Sequence, residues 1–595
     1  MVVRGETTVT IKDVLVGEVW FCAGQSNMQM SLGEVCVRLP EVQKETSHAD
    51  YPRMRYLQIP KRGSFTPQEK WSGSSWLPCF PEHARSCSAV AYFFGRDLHE
   101  RLGCPVGLIV SAIGGTTAES WTSVEGLSTL ACFTERMKEF RQAVPRAGET
   151  ERAYLEQFRL WRVQVDCIDR GYDSNGTPRW ATNSLDTSGW RVMTLPLPWQ
   201  IITSKEGSGL SGRVWFRRTV DIPASWQRQD LVLKLSDSVF ECEAVWFNGT
   251  EVGVFETPYK WQWQLSREYR VPAALVKPGE NVVAFWDYAS GPYGGGPYGG
   301  PESMAVCLAG DHSQEISLTG PWLSKQGANL AELPALPSTP EFYEGNCNQP
   351  AALYNGMVAP VVPYRIRGVI WYQGESDTQR AYEYRSLFPK LITDWRAHWD
   401  QGAFPFLFVQ LPNWSNNLPA PEKPGESAWA ELREAQSMAL ALPNTAMAVT
   451  INIGETDDVH PPNKVDVGKR LALAAAATVY KQDIEYSGPV FRTMGFENGA
   501  LRLWFDHAKE GLVAKGGALS GFAVAGADGQ FCWADALIEG NTVLVRSEQV
   551  PKPLAVRYGW ADDPICSLYN AAGLPAAPFR TDNWPGITAH EALGP

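Results

Sequence analysis

The 595-residue sequence predicts an α/β fold built on a doubly wound parallel sheet, interrupted by an all-β insert and followed by a C-terminal β region. Three observations predict it. Short apolar runs that stop at glycine alternate with helix-period segments near the start of the chain, and the same pattern resumes around residue 346. Between about 178 and 321 helical periodicity disappears and short β-like runs replace it. After about 487 the chain is β-like again. The expected boundaries are therefore 1–177 and 322–486 for the two parts of the α/β domain, 178–321 for the insert and 487–595 for the tail.

Each element follows from its residues. VWFCA (19–23) is a buried strand ending at Gly24. In SAVAYFFGRDLHERL (88–102), Ala89, Ala91, Phe93, Phe94 and Leu98 recur at helical spacing, and Ser88 is placed to cap the first turn. VGLIVSAI (106–113) is a second buried strand, and strand–helix–strand in this order demands a parallel crossover. The insert carries VWFRRTVDI (214–222), LVLKLS (231–236), AVWFNGTEV (244–252) and NVVAFWDY (281–288), with Asn248-Gly249 as a hairpin turn and a glycine-rich loop at 291–301. The α/β pattern then returns with strands GVIWY (368–372), FPFLFVQL (404–411) and AMAVTINI (446–453). Helices are expected over 381–399, 429–440 and 466–480.

Composition narrows the function. With 53 basic and 65 acidic residues the net charge is −12, and no Lys/Arg cluster is present, which argues against nucleic acid or an anionic membrane as partner. No run of about 18 uncharged apolar residues suggests a membrane span. Twelve cysteines without CxxC spacing or a Cys/His cluster predict no metal site, and Cys22 reads as a buried strand residue. The 24 tryptophans and 20 tyrosines mostly serve β-rich packing, with a minority available to stack on sugar rings. The first 20 residues lack the apolar stretch and cleavage site of a signal peptide.

In an open α/β sheet the ligand site lies beyond the carboxyl ends of the strands. Those ends carry Gly24-Gln25-Ser26-Asn27-Met28, Gly114-Gly115-Thr116, Gln373-Gly374-Glu375-Ser376-Asp377, and Gly454 followed by Asp457-Asp458-Val459-His460. Together they are the parts of an acyl-transfer site. A serine hydroxyl becomes a competent nucleophile when an imidazole takes its proton, which pairs Ser26 with His460. The imidazole needs an acceptor on its other nitrogen, supplied by Asp457 or Asp458. The oxyanion needs fixed donors, for which the Ser26 N–H, the Gly115 (or Gly114) N–H and the Gln373 amide are the right types. No metal or organic cofactor enters this scheme.

The blocks GQSNM, GGTTAESW, WYQGESD and DDVHPPNK resemble those of the sialate O-acetylesterase branch of SGNH hydrolases. DVLVGEVWFCAGQSNMQ, ALYNGMVAPVVPY, FPFLFVQLPNW, WAELREAQ and the tail YGWADDPICSLYNAAGLPAAPFRTD extend the resemblance over almost the whole chain. The resemblance implies an SGNH hydrolase domain, a galactose-binding-like jelly roll as the insert, and an O-acetylated carbohydrate as substrate. It implies Ser26 as nucleophile, His460 as base, and Gly115 and Gln373 at the oxyanion. Spacing in the superfamily favours Asp457 as the acid, spacing in this branch favours Asp458, which is the expectation here, and some relatives work with a Ser–His dyad in which neither serves. Glu375 would orient its neighbours, and Arg433 and Gln436 face either the pocket or solvent. Relatives also carry a further N-terminal β region before the first strand, so the true start of the chain, and with it the compartment, stays open. Two rivals are a non-catalytic carbohydrate-binding protein and a glycosidase using Glu375 and Asp377. Within esterases, acetylated xylan is the alternative to an acetylated sialic acid.

Overall fold

The computed structural model describes all residues except 6–7, 198–210, 237–241, 256–266, 290–296, 298–302, 416–422 and 590–595. The described chain divides into two compact units, 1–140 with 347–595, and 141–346.

The first unit is built on a seven-stranded sheet. In chain order its strands are β1 (Glu18–Gly24), β2 (Tyr51–Gln58), β3 (Leu77–Cys79), β4 (Val106–Ala112), β5 (Gly368–Tyr372), β6 (Phe406–Val409) and β7 (Thr445–Ala448). Across the sheet the order is β7-β6-β5-β1-β4-β2-β3. All pairings are parallel except that of β3 with β2. The order reverses beside β1, so the ends of β1, β4 and β5 open onto one crevice.

Helices cover both faces, as the alternation of side chains along β1 shows. Trp20 meets Phe94 of α3 (Ala89–Leu102), with ring centroids 5.0 Å apart. The next residue, Phe21, points the other way and meets Trp395 and Trp399 of α4 (Ala381–Trp399), each at 5.5 Å. Ser88 caps α3 by accepting from the Ala91 N–H. On the Trp20 face α6 (Lys464–Thr478) approaches α3 so closely that a β-carbon on Gly468 would stand 2.6 Å from Phe93 Cβ. Helix α5 (Ala428–Met438) lies between β6 and β7 in the chain and is capped by Ser427.

The C-terminal part of this unit consists of small antiparallel sheets. One orders Val490–Glu497, Ala500–Asp506, Thr542–Arg546 and Asp535–Glu539; another orders Phe531–Trp533, Phe522–Ala525, Ala555–Tyr558 and Phe579–Arg580. Leu503, Val524, Val543, Val545 and Val556 form their common core.

The second unit contains a six-stranded and a four-stranded antiparallel sheet. The larger orders Thr250–Phe255, Glu243–Phe247, Gly279–Ala289, Gly212–Ile222, Gly320–Ala328 and Arg191–Leu195. The smaller orders Arg267–Val271, Leu231–Ser236, Ala305–Leu308 and Asp311–Ser317. Phe216, Leu233, Val245, Phe285 and Val306 belong to one core shared by strands of both sheets. Asn248 and Gly249 both adopt positive φ (51° and 82°), the conformation a tight hairpin with the strand twist requires. The expected glycine-rich loop at 291–301 lies, apart from Pro297, outside the described residues. The 22-residue helix Ala147–Ile168 also belongs to this unit. It buries Phe158, Trp161 and Val165 against Trp215, Trp246 and Trp286 of the larger sheet.

Candidate active site

Strand β1 leaves the sheet through Gly24, where φ is 146° and a β-carbon would fall 2.0 Å from the Tyr372 carbonyl oxygen. Only glycine fits there. The Gln25 N–H then donates to that carbonyl (2.9 Å), and the chain turns at once into α1 (Ser26–Gln29). Ser26 thus stands half-buried at the first position of a helix, where backbone N–H groups have no intrahelical acceptor. A second turn, capped reciprocally by Ser31 and Glu34, starts α2 (Leu32–Arg38).

Asn27 is the link between the serine turn and the histidine loop. Its Nδ2 donates to the Val459 carbonyl (3.0 Å) and to Glu375 Oε1 (2.6 Å), while its Oδ1 accepts from Lys464 Nζ (2.5 Å). The residue after Ser26 therefore grips the residue before His460. Arg38, at the end of α2, holds the same loop from the other side. It donates to the His460 carbonyl (2.7 Å) and to Glu455, and pairs with Asp458 Oδ2 at 2.9 Å.

Of the two candidate acids, Asp458 is the one that addresses the histidine. Its Oδ1 accepts from the His460 N–H (2.8 Å) and lies 3.7 Å from His460 Nδ1. Asp457 is exposed to solvent. Burial pushes the His460 imidazole below its ordinary value; Lys464 and Arg38 push the same way and Asp458 opposes them. The side chain is 38% exposed, so water tempers the shift, but its direction keeps the ring neutral at pH 7.

The loop carrying these residues is anchored by the C-terminal region. Asn413 Oδ1 accepts from the Gly454 N–H (2.9 Å) while its Nδ2 donates to Asp563 Oδ1 (2.7 Å). Thr456 donates to the other Asp563 oxygen (2.7 Å).

The second strand end divides the glycine pair. The Gly114 N–H donates to Gln29 Oε1 (2.8 Å) and is thereby occupied. Gly115, at φ 70°, has its carbonyl held by Asn348 Nδ2 (2.8 Å), and no acceptor meets its N–H among the described residues.

Gln373 does not stand as expected. It is fully buried, and its amide donates to the Thr116 carbonyl (3.0 Å) and to Asp377 Oδ2 (2.5 Å), while its Oε1 accepts from Tyr384 (3.0 Å). An amide has two protons, and both are engaged. In this arrangement Gln373 fixes the Gly115-Thr116 turn and presents no free donor to an oxyanion. Asp377 is equally absorbed, accepting also from the Ala118 N–H (2.9 Å) and pairing with Arg380 (3.2 Å). Glu375 and Asp377 thus serve different neighbours behind the strand ends, which removes the carboxylate pair a glycosidase would need.

Arg433 and Gln436 face neither pocket nor solvent. Arg433 is wholly buried and donates to the carbonyls of Leu411, Pro412, Ala561 and Asp562 at 2.7–2.9 Å. Gln436 accepts from the Leu411 N–H and donates to the Gln373 and Val409 carbonyls. Arg38, Lys464, Asn348 and the linking role of Asn27 escaped the sequence reading. Lys464 sits inside DDVHPPNK, so its motif was visible although its purpose was not. Arg38 carries no motif signal. Cys22 is buried as expected. Among the described residues, no group of three or more His, Cys, Asp or Glu could hold a metal ion, and no helix is long and apolar enough to cross a membrane.

Residues 341–477 match the family described as carbohydrate esterase, sialic acid-specific acetylesterase. Sialate O-acetylesterase of Mus musculus is 29% identical over 255 residues, 38% of this chain and 47% of the relative. The Homo sapiens enzyme is 28% identical over 307 residues, 46% of this chain and 57% of the relative. The chain thus spans about half the length of the curated relatives it matches. A crystal structure of a carbohydrate acetylesterase from Xanthomonas citri is 26% identical, covers 97% of this chain and 84% of its own, and superposes with a TM-score of 0.57. By residues 341–477 and by these relatives, the chain is similar to the sialic acid-specific acetylesterases among carbohydrate esterases.

Proposed function

We propose that this protein is a serine O-acetylesterase acting on acetylated carbohydrate, with an SGNH-type wound sheet as its catalytic domain and the second unit, centred on 178–321, as a jelly-roll insert. The observation that carries the reading is the Asp458–His460 pair, locked by Arg38 and tied through Asn27 to the turn bearing Ser26. In the first step the Ser26 hydroxyl attacks the acetyl carbonyl carbon as His460 accepts its proton. The oxyanion settles on the N–H groups of Ser26 and Gly115. His460 then returns the proton to the sugar oxygen as the C–O bond breaks, leaving acetyl-Ser26. Water, deprotonated by His460, attacks the acetyl-enzyme; collapse releases acetate and restores the serine. Gln373 supports this site from behind, by holding the turn that aims Gly115. No step calls for a metal or organic cofactor.

The family favours an O-acetylated sialic acid as substrate, with acetylated xylan as the alternative. Mass spectrometry of acetate released from a panel of acetylated sialosides and plant polysaccharides tests both. Release from sialosides, absent in Ser26→Ala, is the expected result; no serine-dependent acetate from any substrate would sink the reading.

The acid is tested by ranking two variants. Asp458→Asn is expected to lower kcat by ~10²–10⁴-fold, because the imidazole loses the acceptor that sets its tautomer. Asp457→Asn, at an exposed side chain, should stay within about threefold of wild type, the size of an ordinary surface effect. The reverse ranking would transfer the role to Asp457.

A further inference from the structure

Lys464 is an expensive residue in an unusual place. It opens α6, is 0% exposed, and points its ammonium at Asn27 rather than at solvent or the substrate crevice. Burial pulls its pKa down to about 7, with Glu375 and Asp458 opposing the shift and Arg38 adding to it. Burying an ammonium costs stability that a packed apolar side chain would not lose, so the position is poorly explained as a device for folding alone.

What the ammonium meets is an amide with a definite sense. The Asn27 Oδ1 faces Lys464 Nζ at 2.5 Å, and its Nδ2 faces Glu375 Oε1 at 2.6 Å. The amide is therefore held between a cation at its carbonyl end and a carboxylate at its NH2 end. The other Glu375 oxygen is buried with no hydrogen-bond partner among the described residues, so this carboxylate is directed at Asn27. With both ends pinned, the remaining Nδ2 proton points at the Val459 carbonyl, 3.0 Å away, immediately before His460. Reversing the amide would set Oδ1 against a carboxylate and a carbonyl, and NH2 against an ammonium; every contact would become repulsive.

We infer that Lys464 is a positioning residue for the acyl-transfer reaction: acting through Asn27, it fixes the sense of that amide and so holds the His460 loop in register with the Ser26 turn. This deepens the acetylesterase reading and rests on it. Lys464 itself touches neither substrate nor the reacting atoms. Its loss leaves Ser26 and His460 present but free to drift, and misplacement of about 1 Å costs on the order of 10²-fold in rate.

The test uses the full chain with Lys464→Met, Asn27→Leu and the double variant, assayed with 4-nitrophenyl acetate. It is paired with mass-spectrometric measurement of Ser26 labelling by a fluorophosphonate. Lys464→Met is expected to lower kcat and the labelling rate by ~10²-fold with KM within about twofold, because register governs the attack rather than acyl binding. The double variant should be no slower than the worse single one, since both remove the same link. Wild-type kcat in Lys464→Met, a loss expressed in KM alone, or multiplying losses in the double variant would each overturn the inference. Should Lys464→Met fail to fold, Asn27→Leu decides: the argument routes everything through that amide, and undiminished kcat there overturns it. If wild-type Ser26 is not labelled at all, the acetylesterase reading falls and takes this inference with it. If the wild type labels and Lys464→Met labels equally fast, only the Lys464 inference falls.

Discussion

Ser26→Ala is expected to abolish acetyl-ester turnover, with kcat lower by roughly 10³–10⁶-fold, and to leave the fold intact. The side chain is half-buried and makes no hydrogen bond to another element among the described residues, whereas its neighbours Gly24, Asn27 and Gln29 each do. Structure and chemistry are thus divided between adjacent positions, and removing one hydroxyl subtracts only the chemistry. Thermal unfolding should shift by no more than about 1–2 °C, the size of an ordinary surface change. Initial rates of acetate release and a melting curve check the two halves. Substantial residual turnover would remove Ser26 as the nucleophile, while a large drop in melting temperature would mean that the serine also supports the turn.

His460→Ala should cost a comparable ~10³–10⁶-fold in kcat, since in the proposed mechanism the imidazole takes the serine proton and returns it to the leaving oxygen. The wild-type pH profile gives an independent reading of the same residue. The base must be neutral to act, and its pKa is lowered from 6.5 toward about 4 by burial and by the cations Lys464 and Arg38. On the proposed mechanism, protonation is therefore expected to remove activity only as the pH falls below the usual histidine range. The acid limb of kcat/KM should have its midpoint between about 4 and 6.5. A midpoint above 6.5 would mean that Asp458 outweighs burial; a KM effect alone in His460→Ala would make the histidine a binding group.

The strand ends were legible because buried parallel strands are continuous apolar runs and their terminal glycines are forced by close approach, as at Gly24 against Tyr372. Predicted strand GVIWY and the helix over 381–399 coincide with β5 and α4 to the residue. What escaped was of three kinds. Strand β2, YPRMRYLQ, is only partly buried near the sheet edge and shows neither an apolar run nor clean alternation. The helix Ala147–Ile168 did carry a signal in Tyr154, Phe158, Trp161 and Val165, spaced four, three and four apart, but among strongly polar neighbours. Side-chain direction was not legible at all. Gln373 has the right chemistry for an oxyanion donor, and nothing in WYQGESD reveals that Thr116 and Asp377 already hold its protons. Arg433 likewise finds half its acceptors at Ala561 and Asp562, some 128 positions onward, far beyond any local pattern.

Asp563 gives this molecule a timetable. Chains emerge from the ribosome from the N-terminus, at about 5–20 residues per second. Ser26 is made more than four hundred residues before His460, yet the loop that presents the histidine is fastened by Asn413 and Thr456 to a carboxylate made later still. A nascent chain paused anywhere before residue 563 can hold a complete parallel sheet and still lack the fastening of its histidine loop. The proposed acetyl-transfer centre is therefore fully fastened only once Asp563 has been made, after every residue assigned to its chemistry has already been translated.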